Sequence, residues 1–172
     1  MILTGAAIDQ DVQAGNIVIE PYDPKFLEPN SYGFHLASHM ICYTDGIIDA
    51  RYEPTQEFFT IPQTGFCLTP GKFYLGSTLE RMGSYRHAAT LYARRSVSTM
   101  GMWIQFSAPL GHTGAIIPWT LEIQVVHPTI VFPGMLIGKI AFWESQGDRD
   151  LYDGKYTGSV DVVASRLTEE MS

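Results

Sequence analysis

The chain has 172 residues, 45% of them hydrophobic, and a formal net charge of −7 with His neutral. That length and apolar content suffice for one substantial core, so the chain reads as one domain over residues 1–172. The acidic balance argues against nucleic acid and anionic membranes as partners, because both are met by a basic face that displaces counterions.

In chain order, Thr4 caps a helix that runs to about Ala14, with Ile8 and Val12 four apart on one face and Gly15 as terminator. No basic region and apolar stretch open the chain, and the apolar runs are shorter than a bilayer span, so a cytoplasmic location without a membrane partner is expected. Short β-prone runs follow at 16–19, 33–43, 58–61, 66–68, 73–79, 88–92, 103–106, 119–126 and 136–143. The 16 Gly and 10 Pro supply the turns between them. Strands this short, without helical patterns between them, predict a mainly β fold. An antiparallel sandwich or barrel with jelly-roll-like closure would hide its edges. From Gly147 the composition becomes polar and Gly-rich, with Tyr152 and Tyr156, as for a segment that orders over something else.

Only Cys42 and Cys67 are present, with no close Cys pair, so neither a disulfide framework nor a cysteine zinc site is expected. The zinc deaminase signature, His-x-Glu followed by Cys-x-x-Cys, is excluded with them.

One strand carries an anomaly. From Thr120 the period is two, with Leu121, Ile123 and Val125 on one face and Thr120, Glu122 and Gln124 on the other. Glu122 therefore points away from the core. It belongs either to a solvated strand face or to the wall of a cleft, where a carboxylate moves protons.

Four segments in sequence order carry a resemblance. They are Ile17-Val-Ile-Glu-Pro-Tyr-Asp-Pro24 continuing to Leu27-Glu-Pro-Asn-Ser-Tyr32; Pro70-Gly-Lys-Phe-Tyr-Leu-Gly-Ser-Thr-Leu-Glu80; Arg94 through Gly101 to Thr120-Leu-Glu122; and Pro133-Gly-Met-Leu-Ile-Gly138 with Gly154-Lys-Tyr156 and Ala164-Ser-Arg-Leu167. Together they span nearly the whole chain. This ordered set resembles the deoxycytidine triphosphate deaminase family, within the trimeric deoxyuridine triphosphatase-like superfamily.

The resemblance implies a homotrimer of distorted jelly-roll subunits, with sites between subunits, and a hydrolytic deamination that needs no metal or cofactor for its chemistry. It makes Glu122 the base toward water attacking C4 of a pyrimidine, as in dCTP going to dUTP and ammonia. It sets Arg94, Arg95, Ser96 and Thr99 against the family's Arg-Ser-Ser-Leu-x-Arg-x-Gly, a turn that meets the phosphates, where guanidinium groups and hydroxyls both donate. Mg²⁺ is expected only as a companion of those phosphates. Residues 147–172 become a tail closing over the site, with Tyr152, Lys155, Tyr156 and Ser159 as its contributions. Ser107, Ala108 and His112 complete the implied substrate-binding set.

Five positions depart from the family pattern. Arg95 replaces the motif's first serine, Thr99 replaces its second arginine, and His112 stands for an aspartate that meets the sugar 3′-hydroxyl or, in the triphosphatases, serves the attacking water. Ala115 stands where an aromatic covers the deoxyribose, with Trp119 either supplying that ring or serving only in packing. Ser159 replaces a glutamine. These departures leave two further readings beside the deaminase: a nucleotide pyrophosphatase of the same fold, which His112 weighs against, and a non-catalytic nucleotide-binding trimer.

Overall fold

Residues 1–171 are described in a computed structural model, and the first element follows from local chemistry. Helix α1 (Gly5–Gln13) begins where Thr4 Oγ1 accepts the Ala7 N–H at 3.3 Å, and its C-cap, Ala14, is followed by Gly15 at φ 73°. A residue without Cβ enters that left-handed conformation at no steric cost. Ile8 is fully buried and Val12 packs beside it on the core.

The strands are β1 (Ile17–Glu20), β2 (Leu27–Glu28), β3 (Ser31–His35), β4 (His39–Tyr43), β5 (Gln56–Thr60), β6 (Phe66–Leu68), β7 (Tyr74–Ser84) and β8 (His87–Ala93). After helix α2 (Arg95–Thr99) come β9 (Met102–Trp103), β10 (Leu110–Gly111), β11 (Ile117–Val125), β12 (Thr129–Val131) and β13 (Leu136–Glu144). All pairings are antiparallel. One sheet runs β5-β4-β7-β11-β9, with β1 also on β7, a second runs β10-β8-β13-β3-β2, and β12 with β6 forms a separate ribbon.

The two large sheets share one core. Ile17, Ile19, Met82, Leu121 and Ile123 of the first pack in the same cluster as Tyr32, Phe34, Leu91, Ile140 and Phe142 of the second. The fold is thus mainly β, as the spacing of short strands predicts. β7 is its organising strand, long enough to pair β4 at Tyr74 and Leu75, β1 at 81–84, and β11 along its other edge.

Two local expectations change. The run 33–43 is not one strand: it breaks after His35, and β3 and β4 join different sheets. At the break Leu36 N–H donates to Met135 O and Ala37 N–H to Ser77 O, each at 2.9 Å, so the backbone hands over between sheets without a turn residue. The Arg94–Gly101 turn contains a short helix, α2, because Val97 and Ser98 N–H both donate to Arg94 O and Val97 is buried.

Candidate active site

β11 places the carboxylate. Leu121, Ile123 and Val125 are buried, and Glu122 on the opposite face is half-buried, as the period-two alternation requires. The chain after β9 runs antiparallel along β11, with Trp103 opposite Gln124, and then turns. That turn brings the Phe106 and Ser107 N–H groups to Glu122 Oε2 at 2.7 and 3.2 Å, while Glu122 N–H donates to Ile104 O at 3.0 Å. Oε1 has no hydrogen bond within the protein among the described residues. Glu122 is therefore an oriented carboxylate and not part of a freely solvated strand face.

It stands in the wall of a cavity of about 540 Å³, which Gln105, Ala108, His112, Trp119 and Thr120 also line. A register shift between Pro118 and Thr120 interrupts the alternation, so that both Trp119 and Thr120 border the cavity. The indole is held in place: Nε1 donates to Met82 O at 2.9 Å, and a Cβ at Gly111 would lie 2.5 Å from the ring. Trp119 thus serves packing and cavity wall together.

Residues of the tail line the other side of the cavity. Tyr152, Tyr156, Ser159 and Val163 line the same cavity. The His112 ring stacks on Tyr152 with centroids 5.6 Å apart, and Tyr152 N–H donates to Thr113 O at 2.8 Å. Further along, Val163 N–H donates to Thr120 Oγ1 at 3.2 Å and Ser165 N–H to the Tyr43 hydroxyl at 2.9 Å. Val162 is buried against Ile41 and Leu75. Asp161 sits 2.5 Å from His39 Nδ1 and accepts from Ser77 Oγ at 3.2 Å. Burial alone would raise the Asp161 carboxyl, but its hydrogen bonds to His39, the Val162 N–H and Ser77 hold it below the usual carboxylate range.

Of the residues predicted from sequence, the cavity gathers Glu122, Ala108, His112, Tyr152, Tyr156 and Ser159. Ser107 takes part through its backbone N–H. Arg94, Arg95, Ser96, Thr99 and Lys155 lie outside the cavity wall, which among the described residues contains no lysine or arginine. Arg94 Nη1 pairs with Glu28 Oε1 at 3.0 Å, and Lys139 Nζ is 3.7 Å from Oε2 of the same carboxylate. Thr99 donates its hydroxyl to Arg95 O at 2.9 Å, and Lys155 pairs with Glu170. Sequence reasoning missed Gln105, Thr120, Tyr43 and Phe73 as cavity residues. Thr120 shares the Glu122 face by period, whereas Gln105 reaches the site only because the 104–107 segment folds against Glu122 in the tertiary structure. Among the described residues no cluster of three or more His, Cys, Asp or Glu could hold a metal, and no helix is long and apolar enough to cross a membrane.

A family model described as dCTP deaminase-like matches residues 2–145. The chain is 36% identical over 171 residues to "dCTP deaminase, dUMP-forming" of Cytophaga hutchinsonii, covering 99% of this chain and 98% of that protein. Identity to the protein of the same description from Clostridium beijerinckii is 34% over the same shares. The crystal structure of 2′-deoxycytidine 5′-triphosphate deaminase from Agrobacterium tumefaciens matches with a TM-score of 0.67 at 18% identity, a likeness of fold; it covers 84% of this chain and 48% of that one.

Proposed function

The chain belongs to the dCTP deaminase-like family, and we propose that it deaminates a pyrimidine deoxynucleotide by metal-free hydrolysis with Glu122 as the proton shuttle. The observation that carries this reading is the geometry of Glu122: Oε2 held by two backbone N–H groups, Oε1 without a hydrogen-bond partner among the described residues, and the whole carboxylate in a cavity wall. A base fixed on a strand and oriented by backbone donors meets the requirement for proton transfer at a defined atom.

The reaction balances on that group. Water oxygen bonds to C4 of the cytosine ring while Glu122 takes one of its protons. As the tetrahedral centre collapses, the C4–N4 bond breaks and C4=O forms. Of the water's protons, one ends on N3 and the other on the departing ammonia. Glu122 finishes as it began, ionised.

The phosphates need cations that this cavity wall lacks. A neighbouring copy presenting its Arg94–Gly101 turn would supply them, which is the homotrimer with sites between subunits. Arg94 would then exchange part of its contact with Glu28 for phosphate oxygens, and any Mg²⁺ would arrive with those phosphates. The location that fits a soluble nucleotide substrate is the cytoplasm.

A second reading takes dUMP and diphosphate as the final products, and the descriptions of the relatives favour it. It requires a second water at the α-phosphorus. Incubation with dCTP, with and without Mg²⁺, followed by assay of ammonia and separation of products, tests both. Ammonia with dUTP supports simple deamination, ammonia with dUMP and diphosphate supports the second reading, and nucleotide binding without ammonia refutes both in favour of a non-catalytic protein.

A further inference from the structure

Gln105 has no part in the mechanism above, yet it stands beside its central residue. β9 pairs with β11 through Trp103 opposite Gln124 and Met102 opposite Val125; beyond it the Glu122 N–H donates to Ile104 O, the residue before Gln105, and Gln105 and Glu122 line the same cavity. Its Nε2 donates to Ala108 O at 2.6 Å, closing the turn whose Phe106 and Ser107 N–H groups hold Glu122 Oε2. Its Oε1 is buried and has no hydrogen-bond partner among the described residues. Exchanging the amide's oxygen and nitrogen would set two acceptors 2.6 Å apart, so the orientation is determined. A buried acceptor without a partner is uncommon and costly. Within the described residues the amide is held through its donor end, by the bond to Ala108 O.

We infer that Gln105 is the positioning residue of Glu122. By closing the 105–108 turn it aims the two N–H groups at Oε2, which fixes the carboxylate's orientation and leaves Oε1 to meet the water. The inference rests on the deaminase reading of Glu122.

The test uses the full chain, dCTP, and the variants Gln105→Met and Gln105→Glu, which keep the side-chain length and lack the Nε2 donor. In both, kcat falls about 10-fold or more while KM changes by less than about threefold, and the acid limb of the kcat/KM profile moves to higher pH. Amide hydrogen exchange at Phe106 and Ser107 becomes faster in both. An unchanged kcat with an unmoved profile overturns the inference. So does a loss of kcat with a lowered melting temperature and an unmoved acid limb, which is the mark of a structural role only. If the unsubstituted protein deaminates and the two amides exchange alike in all three proteins, Gln105 alone is wrongly assigned. If the unsubstituted protein releases no ammonia while those amides still respond to the substitutions, the deaminase reading has failed and the positioning role falls with it.

Discussion

His39 Nδ1 and Asp161 Oδ2 lie 2.5 Å apart across 122 positions of sequence, and this contact fastens the tail to the sheet that carries Glu122. Because the Asp161 carboxyl is held below its ordinary range, its contribution is present above the unfolded value, about 3.9, and is lost as pH falls through the lower folded value. Asp161→Ala should therefore loosen the tail at neutral pH as acid loosens it in the unsubstituted protein. Amide exchange at Val163 and Ser165, whose N–H groups dock on Thr120 and Tyr43, reads this directly. Unchanged exchange at both amides would remove the contact from the tail's closure.

Glu122→Gln keeps the volume and an oxygen for the Phe106 and Ser107 N–H groups while abolishing the proton acceptor. Deamination should fall by ~10²–10⁴-fold, with nucleotide binding retained and stability changed by less than about 1 kcal/mol. Ammonia release and binding are measured side by side. Normal turnover by the variant would end the proposed mechanism.

Arg94→Ala should weaken triphosphate binding by roughly 1.5–3 kcal/mol more than nucleoside binding, since a charge-assisted contact is lost only where phosphate is present. Removal of Arg94 also leaves Glu28 with Lys139 and the Ser31 hydroxyl, so the melting temperature is followed as a control. Equal losses for both ligands would assign Arg94 to its ion pair with Glu28 alone.

Light scattering should give a trimer. Refolding Arg94→Ala together with Glu122→Gln should then give, at low dCTP, more activity than the sum of the two variants alone, because some sites draw Arg94 from one copy and Glu122 from the next. Random mixing at equal amounts makes about a quarter of such sites intact. A stable monomer, or mixtures no more active than the sum of their parts, would contradict sites shared between copies.

Gly111→Ala should destabilise the fold by about 1–3 kcal/mol through overpacking, since the added Cβ would lie 2.5 Å from the Trp119 ring. Trp119→Phe in the same chain should recover part of that loss in denaturant unfolding. A Gly111→Ala protein as stable as the parent would show that the indole shifts freely.

Local rules made much of this molecule legible from sequence. The Thr4 cap and Gly15 stop of α1 depend on residues within a turn of one another, and the two-residue alternation of β11 turned Glu122 from the core without reference to any partner. Periodicity assigns a face but not what stands opposite. The sheet change at Leu36, the 104–107 segment set against Glu122, and the tail seated on His39, Ser77 and Thr120 are pairings between distant segments. Each forms only when the two sheets close on their common core and bring backbone donors and acceptors within reach. Sequence alone therefore determined a β fold with an outward-facing carboxylate, and tertiary structure decided which N–H groups orient it and which residues enclose it.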